Sequence, residues 1–172
     1  MTADYSLVMP AGFSIVLIAW AALCGLQDAW QLRVSNVLTL GLLVMALCAL
    51  PVTGHSLTGA VWLSALGGFL VAALLTVPGY ALGQLGAADA KMLMAFGLAS
   101  SLPDLLEAFV VAAPLAAGIM LLLRYLTRYP ALARLGSQGV LANFMPRPGK
   151  SFPFATCLAV GVLASQCLQM RF

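Results

Sequence analysis

The stretch from Leu7 to Gln27 carries no charged residue. At about 1.5 Å per residue it is long enough to cross a hydrocarbon core roughly 30 Å thick. It is the first of six apolar runs, and that repetition leaves few folds open. Only 8% of the 172 residues are charged and 63% are hydrophobic, against about 25% charged residues in an ordinary soluble domain. The expectation is an all-α, polytopic integral membrane helix bundle of about six transmembrane helices. Residues 1–172 show no internal repeat and no composition break, so one membrane-embedded domain is expected.

The first run stops at Asp28-Ala29-Trp30-Gln31-Leu32-Arg33-Val34-Ser35-Asn36. Charge, amide and hydroxyl groups beside a tryptophan fit a membrane–water interface, and the stretch reads as a boundary loop. Residues 1–6 hold Asp4 but no Lys or Arg, so they lack the basic start of a secretory signal, and the run is expected to remain in the mature protein. A second span covers Val37 to about Val52, closed by Pro51 and the turn Thr53-Gly54-His55-Ser56. A third runs from Leu57 to Val77, with small residues at Ala60, Ser64, Ala65, Gly67, Gly68 and Ala72 that permit close helix contact. Pro78-Gly79 is expected to end it.

Gly79, Gly83 and Gly86 make the next stretch conformationally permissive. Asp89 then opens a short fourth helix, Ala90 to about Ser100, so part of 79–89 is expected inside the membrane boundary. Irregular backbone at that depth is tolerated only where protein covers it or it lines a wet cavity, which implies a cleft. After a turn at Ser101 to Asp104, a fifth span runs from Glu107 to about Leu126 with Pro114 inside it. Tyr125 to Lys150 is the longest polar segment, and Ser151 to Gln169 forms the sixth span.

The basic residues read as topology. With the N-terminus outside, Arg33, Lys91, Arg124, Arg128, Arg134, Arg147 and Lys150 fall on the cytoplasmic side, whereas Asp4, Asp104, Glu107 and Arg171 fall outside. That partition obeys the positive-inside rule. No basic stripe suggests nucleic acid. Cys24, Cys48, Cys157 and Cys167 lie inside apolar runs without a CxxC pair, so they read as small buried hydrophobes. His55, the single histidine, reads as a solvated turn residue. No metal and no cofactor is expected.

This orientation puts Asp28 and Asp89 on one face. A carboxylate near hydrocarbon is disfavoured by roughly 2.5–3.5 kcal/mol, so two of them at one depth suggest one site. Two carboxyl groups in a wet cleft are the minimum apparatus for aspartic proteolysis. One, ionised, takes a proton from the attacking water, and the other, protonated, polarises the peptide carbonyl and helps the amine leave. Like charges a few ångströms apart cannot both ionise cheaply, so the pair holds one proton. Helix N-termini favour anions and C-termini disfavour them. On that ground Asp89, near a helix start, is the expected base and Asp28, near a helix end, the expected acid.

These residues resemble the prepilin peptidases, in particular the small form of Flp/Tad-type pilus systems. Family members carry an aspartate, then a basic residue and an Ile-Pro-Asn ending, eight positions from Asp to Asn. Here Asp28, Arg33, Val34, Ser35 and Asn36 stand at those places, with 36 − 28 = 8. The second family motif, Gly-x-Gly-Asp-x-Lys, has its counterpart in Gly86-Ala87-Ala88-Asp89-Ala90-Lys91. A weaker echo is Pro153-Phe154-Ala155 at the start of the last helix. Two positions depart from the pattern: Ala88 stands where the family has glycine, and Ser35 where it often has proline. Alanine is the smallest such change, and retained activity is expected.

The resemblance implies that Asp28 and Asp89 are the catalytic pair, with Arg33, Asn36, Gly86 and Lys91 positioning substrate or supporting the site. It implies leader removal from type IV (Flp-type) prepilins or pseudopilins at the cytoplasmic face of the bacterial inner membrane. The partners would be the leader peptide with its apolar helix, and the bilayer. Larger relatives insert a four-cysteine zinc domain, associated with N-methylation, between the first two spans. Asp28 to Asn36 leaves no room for it, so cleavage without methylation is expected. Two other readings stay open at this point: a small transporter in which the aspartates relay protons, and an inactive structural subunit of a pilus or secretion complex.

Overall fold

A computed structural model describes residues 5–83, 85–126, 128 and 154–169. The described residues form six helices and no strand: α1 (Tyr5–Gln31), α2 (Asn36–Thr53), α3 (Trp62–Ala81), α4 (Ala87–Ala99), α5 (Leu102–Leu126) and α6 (Phe154–Gln169). Four contain stretches long and apolar enough to cross a membrane: Phe13–Gln31, Asn36–Thr53, Trp62–Ala81 and Leu102–Tyr125. α4 and α6 are shorter. The chain is thus a polytopic helical membrane protein. The expectations for Asp4, Arg134, Arg147, Lys150, Pro153 and Arg171 lie outside the described residues.

Several helix ends differ from the sequence reading, each for a local reason. α1 does not stop at Gln27; it continues to Gln31, so Asp28 and Trp30 are helical. Nothing between them breaks a helix, and the turn comes at Leu32, whose φ of 52° reverses the chain while its N–H still bonds the Asp28 carbonyl (2.8 Å). Left-handed backbone at a leucine costs on the order of 1–2 kcal/mol. Ser35 then caps α2, its Oγ accepting the Val37 N–H (3.2 Å). The Ser35 N–H is itself taken by Gln27 Oε1 (2.9 Å), a bond that proline could not make.

α3 begins at Trp62 rather than Leu57 because residues 56–60 close a turn. Ser56 N–H bonds the Ala60 carbonyl (2.7 Å), Ser56 Oγ takes the Ala60 N–H (3.0 Å), and Gly59 has φ 86°. Pro78 does not end α3; the helix runs on to Ala81, as membrane helices often do past a proline. α5 starts at Leu102 rather than Glu107, with Ser101 Oγ accepting the Asp104 N–H (3.2 Å).

α4 packs against α2, α3, α5 and α6 and so occupies the middle of the bundle. Met92, Leu93, Ala95 and Phe96 are wholly buried. At 13 residues α4 is about 20 Å long, too short to span, but its neighbours surround it. Small residues set the close crossings. A Cβ on Gly68 of α3 would stand 2.6 Å from the Gly97 carbonyl oxygen of α4, and one on Gly25 of α1 would stand 2.5 Å from Ala159 Cβ of α6. Of the small residues expected to permit contact, Ala65, Gly68 and Ala72 do face the interior. Large side chains such as Leu70, Leu74, Val110 and Leu121 point outward, the arrangement a lipid solvent favours. Cys24 and Cys157 are buried, but Cys48 and Cys167 are on the outer surface, so the buried reading holds for two of the four. His55 lies exposed in its turn, with Nδ1 2.9 Å from the Thr53 carbonyl.

Candidate active site

Asp28 sits in the last turn of α1 and is 5% exposed. Its carboxylate faces α6. Oδ2 accepts both the Thr156 N–H (3.1 Å) and the Thr156 hydroxyl (3.2 Å). Gly25, one turn earlier, makes this approach possible, because any side chain there would hold α1 away from Ala159.

Asp89 lies in the first turn of α4 and is 4% exposed. Its Oδ2 accepts the Gly86 N–H (3.0 Å), the side-chain half of a capping box. Gly86 has φ −72°, a value any residue adopts, so its need for glycine is steric. A Cβ there would meet Asp89 Oδ2 at 2.8 Å. Ala88 is helical with negative φ, so the left-handed freedom a glycine would offer at that position is not used.

A pocket of about 410 Å³ joins the two motifs, lined by Asp28, Leu32, Arg33, Val34, Asn36 and the segment Gly86–Asp89 with Lys91. All six residues singled out in the sequence, namely Asp28, Arg33, Asn36, Gly86, Asp89 and Lys91, therefore border one space. Lys91 Nζ donates to Asn36 Oδ1 (2.9 Å), a direct bond between the first motif and the second. Arg33 is exposed. Among the described residues no group of three or more His, Cys, Asp or Glu could hold a metal.

Two carboxyl groups bordering one partly closed space repel each other when both are ionised. The helix-end distinction between them does not survive. Asp28 belongs to the C-terminal turn of α1, yet its carboxylate meets the N-terminal turn of α6 at the Thr156 amide, and the Asp89 carboxylate meets the Gly86 amide at the start of α4. Each carboxylate is thus held by amides at a helix start, and the assignment of Asp28 as acid and Asp89 as base loses its basis. Thr156 was missed by the sequence reading. The only signal was its place directly after Phe154-Ala155, 128 positions from the aspartate it holds.

Fold and site together define a class: a helical membrane protein with two carboxyl groups buried at one end of its bundle, around an open pocket. Within that class the chain belongs to the type IV leader peptidase family, whose family model matches residues 15–122 and so includes both motifs. Membership makes it a leader peptidase-like protease. Comparisons with curated proteins and with solved structures gave no match.

Proposed function

We propose that this protein is an aspartic endopeptidase that removes leader peptides from type IV, Flp-type prepilins or pseudopilins. The observation that carries the proposal is that Asp28 and Asp89, from different helices, line the same pocket. One carboxylate accepts a proton from water as that water attacks the scissile carbonyl. The other, protonated, hydrogen-bonds the carbonyl oxygen and later passes its proton to the leaving amine. The pair then returns to its one-proton state, and the cycle requires no cofactor.

The pocket has room for water and a short stretch of extended chain, a liquid water occupying about 30 Å³. The positive-inside partition supports placing it at the cytoplasmic face of the inner membrane, where Arg33 and Lys91 lie beside the site. A substrate whose apolar helix stays in the bilayer would deliver its leader to that depth. The α1–α2 connection is residues 32–35, too short for an inserted domain, which supports cleavage without N-methylation.

Co-expression with a Flp-type prepilin, followed by intact-mass measurement of the pilin, tests the proposal. The expected product has lost its leader and carries an unmethylated terminus, and D28N or D89N leaves the precursor intact. Processing that survives both substitutions sinks the aspartic mechanism, and failure to process any co-encoded prepilin favours a structural role.

A further inference from the structure

The Thr156 hydroxyl stands between two acceptors, Asp28 Oδ2 at 3.2 Å and the Gly25 carbonyl oxygen at 3.1 Å. A hydroxyl has one hydrogen and two lone pairs, so it donates to one of these at a time. The Thr156 N–H is already directed at Asp28 Oδ2. The fixed amide supplies a constant contact, and the hydroxyl supplies one that can reverse.

We propose that Thr156 is a positioning residue for Asp28 whose hydroxyl serves both protonation states of that carboxyl; this rests on Asp28 being one of the catalytic pair. With Asp28 ionised, the Thr156 O–H donates to Oδ2. Between proton transfers, a proton resting on Oδ2 donates to Thr156 Oγ while the Thr156 O–H turns to the Gly25 carbonyl; when the proton leaves for substrate, the Thr156 O–H returns to Oδ2. Only rotation about Cβ–Oγ separates the two states, so the carboxyl keeps its place as its proton comes and goes. No bond between heavy atoms forms or breaks. The geometry requires the close crossing at Gly25, which brings that carbonyl within reach of α6. Thr156 also lies beyond residues 15–122, the part of the chain that matches the family.

The test is steady-state kinetics of the full chain reconstituted in vesicles with a Flp-type prepilin, comparing T156V, T156A and T156S. T156V keeps the shape and the amide but removes the hydroxyl. The expected result is a loss of kcat of about 10–100-fold in T156V and T156A, with KM within twofold of wild type, and recovery to within threefold in T156S. Wild-type kcat in T156V or T156A overturns the inference, as does an equal loss in T156S or a change confined to KM. D28N in the same vesicles separates the two claims. If D28N is inactive while T156V is fully active, the aspartic reading stands and the Thr156 role fails; if D28N is active, the aspartic reading itself fails.

Discussion

Gly86 and Asp89 occupy each other's space: the glycine's N–H holds the carboxylate at 3.0 Å, and a methyl on the same residue would meet that carboxylate at 2.8 Å. G86A is therefore expected to displace the Asp89 carboxylate and lower kcat by about 10²-fold, the scale on which a misplacement of about 1 Å acts. Thermal unfolding in detergent should change little, because the backbone at 86 is ordinary. Ala88 belongs to a different case. Its departure from the family glycine concerned backbone freedom, but position 88 lies inside α4. A88G is expected to destabilise the protein by about 1 kcal/mol through helix propensity, measurable as a lower unfolding temperature. The Lys91–Asn36 bond predicts non-additivity: K91A and N36A should each weaken cleavage modestly, and the double variant should be no worse than the poorer single one. At this scale the sequence displayed the chemical groups but not the reasons for them. Spacing marked Gly86 as special, yet only the position of Asp89 Oδ2 explains why.

Helices α1 and α6 meet across Gly25 and Ala159, and α3 and α4 across Gly68 and Gly97. Backbone faces backbone at the second crossing, so nothing there can turn aside. G97V is expected to destabilise by about 1–3 kcal/mol or more, since overpacking at a rigid contact forces the backbone to shift. Unfolding in detergent micelles measures it. G25V acts at the other crossing and should reduce activity as well as stability, because it separates Asp28 from Thr156. The membrane spans were legible as elements, since apolar length alone marks a segment for lipid. Their ends were not. Asp28 read as loop because charge at an interface resembles a boundary, whereas α1 continues until Leu32 reverses the chain. Pro78 read as a stop, yet α3 passes through it. Caps and tertiary partners decide such ends, and neither follows from hydropathy.

The described residues pack around a short central helix, with small residues at the closest helix crossings, Phe96, Met92 and Leu93 filling the interior, and further large apolar side chains facing outward. That α4 would be enclosed, and that α1 would pair with α6, had no signature in the chain, because apolar periodicity does not name a partner. The orientation makes its own prediction. Single cysteines introduced at Arg33 and Lys91 in a cysteine-free background should react only with membrane-permeant thiol reagents in intact cells, and one at Pro103 should also react with impermeant ones. The reverse pattern would invert the topology. The aspartic mechanism requires the two carboxyl groups to act together. In vesicles containing purified protein and a Flp-type prepilin, wild type should release the leader, while D28N and D89N, each folded by its unfolding transition, should release less than about a thousandth as much over the same time. Leader release near the wild-type rate by either variant would contradict it.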